Sequence, residues 1–230
     1  MRTITWNCNG AFRKKFHNLE QFQADILVIQ ECEDPDRSTD KNYKAWASNF
    51  IWSGENKNKG LGIFCSNNII LSNNNWPTND TKHFISAKVN NDFNIIAVWN
   101  HYANSPNFRY IGQFWKYLQL NKPLMKKVII AGDFNSNKIW DEWDRWWNHS
   151  DVVRELHEIN IRSLYHEHFK EVQGEEKTPT FYLQKNIQKP YHIDYAFADK
   201  ISFPKIRKFE IGQKEDWLAL SDHLPIIFEL

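Results

Sequence analysis

Eight short apolar runs, at residues 3–8, 26–30, 61–65, 84–89, 94–99, 128–132, 193–198 and 225–229, punctuate the chain from end to end. Runs of this length, rich in Ile, Val, Phe and Trp, read as buried β-strands. Helix-like stretches lie between several of them. In 13–22, Phe16, Leu19 and Phe22 form an apolar stripe beneath a basic face, and 109–120 and 150–159 are two further candidates. Ser150 is placed to cap the last of these, with Asp151 at its positive end. Strands interleaved with helices predict a mixed α/β fold with a large sheet content.

The 230 residues suffice for a substantial core, and no linker, repeat or low-complexity tract divides them, so one domain over 1–230 is expected. Segment 72–82 reads as a surface loop. A net charge of +1 excludes a protein that coats nucleic acid through a global basic field. An anionic ligand would have to be held by a local patch or by bound cations. Cys8, Cys32 and Cys65 form an odd set in apolar segments with no zinc spacing, which predicts reduced, packed thiols and a cytoplasmic location. No 18 apolar residues run together, so no membrane association is expected. Nothing suggests a protein partner, and a monomer is expected.

Acids and amides gather where the apolar runs end. "VIIAGDFNSN" finishes in Asp133 and Asn135, two residues apart and so projecting the same way. "TITWNCNG" ends in Asn7 and Asn9, "ADILVIQECE" in Gln30, Glu31 and Glu33, and "IIAVWNHY" in Asn100, His101 and Tyr102. "YHIDY" carries Asp194, and "LSDHLPI" carries Asp222 and His223. Each has a plainer reading: a turn, a solvated strand end, or a satisfied interior histidine. Together they place polar groups at many strand ends, where a rigid sheet can fix their geometry.

In this order the segments "WNCNG", "VIQECE", "WNHY", "GDFN", "HIDY" and "SDHLPI" resemble the endonuclease/exonuclease/phosphatase superfamily, which includes exonuclease III, the apurinic/apyrimidinic endonucleases and deoxyribonuclease I. The likeness runs from residue 5 to residue 226. It implies a four-layer α/β sandwich, two mixed β-sheets face to face with helices outside. It also implies Mg²⁺-dependent phosphodiester hydrolysis, with Mn²⁺ as a possible substitute. By the same resemblance Glu31 is a metal ligand, Asn7 hydrogen-bonds near the metal and phosphate, and Asp222 is a further acid beside the metal. Asp133 matches the acid that orients or deprotonates water, and Asn135 a donor to phosphate oxygens. His223 matches a histidine on the scissile phosphate, its ring oriented by Asp194. A further phosphate contact falls to His101 or Tyr102, with His101 favoured.

Substrate choice rests on two segments beyond the motifs. "NSNKIWDEWDRWWNHSD" (135–151) brings Trp140, Trp147 and His149, and "TPTFYLQKNIQKPYH" (178–192) brings Phe181 and Tyr182; with Asn9 these are the candidate substrate contacts. Aromatics interleaved with Lys and Arg suit stacking on unpaired bases. The spacing of Trp140, Trp143 and Trp147 is equally that of a buried helical face. DNA ranks ahead of RNA as partner, with exonuclease III-like or abasic-site cleavage leading. The alternatives are hydrolysis of RNA ends, nucleotides or another small phosphate ester, and a silent nucleic-acid-binding member of the fold.

Overall fold

The computed structural model describes residues 1–102 and 107–230. Two six-stranded sheets form its centre. The first has the order β13 (Lys208–Ile211), β14 (Ile226–Glu229), β1 (Arg2–Asn7), β2 (Ile26–Cys32), β4 (Lys59–Cys65) and β3 (Phe50–Asn56). The second runs β5 (Leu71–Asn73), β6 (Phe84–Val89), β7 (Phe93–Trp99), β8 (Val128–Asp133), β12 (Asp194–Asp199) and β9 (Ile161–Ser163). Pairings are antiparallel except β1 with β2 and β7 with β8, so both sheets are mixed. A small hairpin joins β10 (Phe181–Tyr182) to β11 (Pro190–Tyr191).

The period-2 alternation of the strands explains the layering. On β8, Ile129 and Ala131 join the core shared with the facing sheet, while Val128 and Ile130 join the core beneath the helices. On β12, Ala196 and Ala198 make the same division against Tyr195 and Phe197. The outer face of the second sheet is covered by α3 (Ile111–Asn121) and α4 (His149–Glu158), which contribute Phe114, Leu118, Val152 and Leu156. Around the first sheet lie α1 (His17–Glu20), α2 (Lys41–Trp46) and α6 (Lys214–Trp217), with Phe12, Tyr43 and Trp217 buried. The short α5 (Leu164–Phe169) packs beside β12 and β9. The predicted two-sheet α/β sandwich is therefore present.

Three local expectations change. The stretch 13–22 is not one helix: a 3₁₀ turn at Phe12–Lys14 and the four-residue α1 are separated by non-helical geometry at Lys15. Its apolar stripe still packs inward, since Leu19 is buried and Phe16 and Phe22 lie against the core. Helix α4 is capped by Asn148 rather than Ser150, in a capping box whose third helical residue, Asp151, accepts from the Asn148 N–H. Residues 72 and 73 of the expected loop at 72–82 belong to β5, which pairs with β6 as an edge strand. Cys8, Cys32 and Cys65 are free thiols, the first two fully buried.

Candidate active site

Asp133 is the last residue of β8 and Asp194 the first of β12, directly opposite in the antiparallel register. Strand pairing thus sets two buried carboxylates side by side at one end of the second sheet. From the first sheet, β1 ends in Asn7, and the segment before β14 supplies His223. The His223 Nδ1 lies 2.9 Å from Asp194 Oδ2, and its Nε2 lies 4.0 Å from Asp133 Oδ2. Asn7 Nδ2 donates to Asp133 at 2.9 Å. Asn135 donates its backbone N–H and its side-chain amide to the same carboxylate, each at 2.8 Å. To do so Asn135 adopts a positive φ of 47°, which asparagine tolerates better than most residues.

Burial dominates the electrostatics. It pushes the Asp133 carboxyl up, to about 7, and neighbouring Asp194 adds to the effect; His223 and the Asn7 amide act against it. Burial alone would neutralise His223, yet the carboxylates of Asp194 and Asp133 outweigh it and raise the ring to about 9. Near neutral pH the site therefore holds a charged imidazolium beside a carboxylate poised to exchange a proton.

Asp133, Asp194 and His223 bring one ligand atom each within 4.8 Å of one another and could hold a metal ion. Glu31 stands apart, on the rim. A β-bulge between Gln30 and Cys32 puts Glu31 at φ 64° and turns its side chain toward the site, 3.5 Å from the Asn7 amide. Asn7 presents its NH₂ to both carboxylates, while its oxygen accepts from the Asn9 N–H. That geometry holds the two carboxylates in place, and metal ligation through the Asn7 oxygen would require the amide to turn. Asp222 is half-buried, and its charge reaches His223 and Lys15.

The sequence pattern of the Endonuclease/Exonuclease/phosphatase family matches residues 4–223. The chain belongs to this family. Solved structures with the same fold include a 3′ phosphatase, NExo, from Neisseria bound to product DNA hairpin, at 19% identity and a TM-score of 0.74 over 100% of this chain and 99% of that one. An AP endonuclease from Archaeoglobus fulgidus matches at 17% identity and a TM-score of 0.68, over 100% and 99%. A humanized D. rerio TDP2 matches at 15% and 0.66, over 99% and 97%. Among curated proteins none matches the chain. Members of the family are typically catalytic, on a phosphodiesterase fold.

Beside this polar cluster opens a cavity of about 850 Å³, whose wall includes Asn135, Trp140, Trp147, Phe181 and Tyr191. Phe181 lies between site and cavity, its ring 4.5 Å from that of His223. Trp140 packs on Tyr191 at 5.2 Å and is 46% exposed. The buried helical face allowed by the tryptophan spacing does not form: only a 3₁₀ turn covers Lys138–Trp140, and Trp143 is 95% exposed. Trp147 is half-buried against Phe108 and Trp146.

Two expected substrate contacts are corrected. Tyr182 is buried in the inter-sheet core, and its N–H donates to the Asp222 carbonyl. Alternation along β10 turns Phe181 outward and Tyr182 inward. His149 lines the cavity wall but is 1% exposed, with both ring nitrogens engaged by Ser136 and Gln173. Burial holds its pKa down, at about 4, which favours the neutral ring.

The adjacent pair His101 and Tyr102 diverges. His101 packs on Trp99 and His83, within electrostatic reach of Lys59 and Glu31. Tyr102 packs under Arg109 and against Tyr110. Asn9 is exposed at the rim. Glu33 pairs instead with Arg13, away from the cluster.

Three supports went unread in the sequence. Ser221 Oγ accepts from the His223 N–H and donates to the Asn7 carbonyl, tying the end of β1 to the segment that leads into neighbouring β14. Thr180 Oγ1, buried, accepts from the N–H groups of Ile193 and Asp194. Lys59 sits on Glu31 at 2.9 Å. The hydroxyl beside Asp222 in "SDHLPI" was the available signal for the first; nothing local marked Thr180 or Lys59.

Proposed function

We propose that the protein is a divalent-metal-dependent phosphodiesterase acting on DNA, of exonuclease III or AP-endonuclease type. The observation that carries this reading is the buried Asp133–Asp194–His223 cluster beside an aromatic-walled cavity, with Asn135 and Phe181 touching both. Asp133, held by three donors and with its pKa raised toward neutrality, is suited to orient a water and take its proton. His223, charged and aligned by Asp194, is suited to face the negative oxygens of a phosphate. Water attacks phosphorus as its proton passes to Asp133, the bond to the leaving oxygen breaks, that oxygen takes a proton from solvent, and charge on the phosphoryl oxygens meets the imidazolium.

Hard oxygen donors fit Mg²⁺, which needs only one or two carboxylates and keeps several waters. Glu31 on the rim suits that role better than the mixed cluster, where Asp194 already takes one nitrogen of His223. Bound there, the cation would supply positive charge to the phosphate.

Trp140, Tyr191 and Phe181 offer faces on which an unpaired base or terminal nucleoside can stack. The family likeness to a 3′ phosphatase bound to a DNA hairpin supports DNA as the ligand class. The same cavity could take a single nucleotide or another small phosphate ester, which is the second reading.

Purified protein should cleave end-labelled duplex, single-stranded or abasic-site DNA with Mg²⁺, and EDTA and Asp133→Ala should each abolish cleavage. Absence of cleavage on every DNA form refutes the reading. Faster turnover of a chromogenic small diester than of any oligonucleotide moves the assignment to the second reading.

A further inference from the structure

Lys59 is the first residue of β4, and the backbone around it is tightly fixed. The hairpin of β3 and β4 packs against the β2 bulge through Trp52, whose indole N–H donates to the Cys32 carbonyl at 3.2 Å. The Trp52 ring lies over Gly54 and Gly60, where a Cβ would collide with it, so glycine at both positions lets the ring seal hairpin to bulge. The Asp34 N–H donates to the Lys57 carbonyl at 2.9 Å, a second tie between the two. Lys59 and Glu31 are thereby held face to face. The Lys59 ammonium lies 2.9 Å from Glu31 Oε2 and 5.5 Å from the centre of the Trp99 ring, on the opposite sheet.

The partners are unequal. The Lys59 side chain is 48% exposed and that of Glu31 16%. Lysine, on a flexible stem with a strongly hydrated head, can leave for water or for an incoming anion, whereas the carboxylate stays where the bulge puts it. Asp133 and Asp194 have His223 as their cation; Glu31 has Lys59.

We propose that Lys59 is an internal counter-ion that occupies Glu31 until a substrate phosphate draws the ammonium away, so that divalent metal and phosphate bind cooperatively. The inference rests on Glu31 being the metal carboxylate. In the free protein a cation at Glu31 must displace the ammonium, and metal affinity is low. A phosphate in the cleft offers the ammonium a second anion, frees Glu31, and raises metal affinity. By thermodynamic reciprocity the metal raises affinity for the phosphate by the same factor. Lys59 is thus a positioning residue for metal loading.

The test reads metal binding rather than turnover. Mn²⁺ binding to the full chain, without nucleic acid, is measured by EPR for the wild type, Lys59→Met, Lys59→Arg and Glu31→Gln. Removing the competing charge should tighten Mn²⁺ binding about two- to fivefold in Lys59→Met, the upper part of the range for an exposed pair. Lys59→Arg should stay near the wild type, and Glu31→Gln should lose the site. In an Asp133→Asn background that blocks turnover, a short single-stranded oligonucleotide should raise Mn²⁺ affinity when Lys59 is present and have little effect in Lys59→Met.

Mn²⁺ affinity in Lys59→Met equal to or weaker than in the wild type overturns the proposal, as does a Glu31→Gln protein that binds normally. Because Lys59 is half-exposed, its variants should melt with the wild type, which separates competition from misfolding. Normal Mn²⁺ behaviour with no DNA cleavage would sink the proposed function alone; no Mn²⁺ binding by any form would sink the metal placement and this inference together.

Discussion

Replacing Asp194 by Asn is the sharpest probe of the site. The carboxylate lies 2.9 and 3.1 Å from His223 Nδ1, and it is the largest influence raising the ring to about 9 against burial. At pH 7.5 a histidine with that pKa is about 97% protonated. Without Asp194 the pKa should fall at least to the ordinary 6.5, leaving about 10% protonated, a loss of about tenfold in the charged form. Asparagine keeps the shape and can still accept from Nδ1–H, so the ring should stay in place.

The direct assay is an NMR titration of the His223 ring in EDTA, its signal identified among nine histidines by its disappearance in His223→Gln. The stability consequence has a definite sign. A raised pKa contributes stability that is fully present below pH 6.5 and is lost as pH rises through about 9. The wild type should therefore lose stability across that window, and Asp194→Asn should show a flatter profile there. A His223 signal in Asp194→Asn that still titrates near 9 refutes the electrostatic account.

Asp133→Asn should lower the rate on any accepted phosphodiester by roughly 10²–10⁴-fold with little change in melting, read from single-turnover kinetics. Glu176 accepts from His166 and Asn137, and its pKa is held down at about 2 by those donors against burial. Its contribution is present above about pH 4.5 and lost as pH falls toward 2, so Glu176→Gln should be less stable by about 1.5–3 kcal/mol at neutral pH and converge with the wild type in acid melts. Gly132 on β8 has a φ of 152°, and a Cβ there would strike the Val98 backbone; Gly132→Ala should cost more than about 2 kcal/mol in urea unfolding.

The sequence was most legible where one residue type carries both structure and chemistry. An apolar run ending in Asp133 and another opening at Asp194 foretold strands and carboxylates alike, and strand register then brought the two acids together. It was least legible where a contact depends on backbone that only the assembled fold supplies. The Glu31 bulge exists because Trp52 and Lys57, more than 20 residues away, close over it, so no pattern near Glu31 pointed to Lys59. The tryptophans misled for a related reason. Their spacing fits a helix, but Asp141 accepts from the N–H groups of His149 and Ser150, which starts α4 only after the cluster and leaves Trp143 in solvent. Likewise the ring nitrogens of His149 are claimed by Ser136 and Gln173, partners 13 and 24 residues distant.

The strand order of the first sheet carries a consequence for how the molecule comes into being. β14 lies between β13 and β1, and β1 pairs with β2 on its other side. A chain emerging from the ribosome can pair β1, β2, β4 and β3 early, but β1 then presents a bare edge until β14, about 220 residues later, has been released. His223 arrives on that same segment, immediately ahead of the closing strand. Joining strands so far apart in sequence is a high-contact-order step, slow relative to local pairing. Growing intermediates should therefore be sticky along β1 and chemically inert, and the insertion that removes the adhesive edge is also the one that delivers the imidazole.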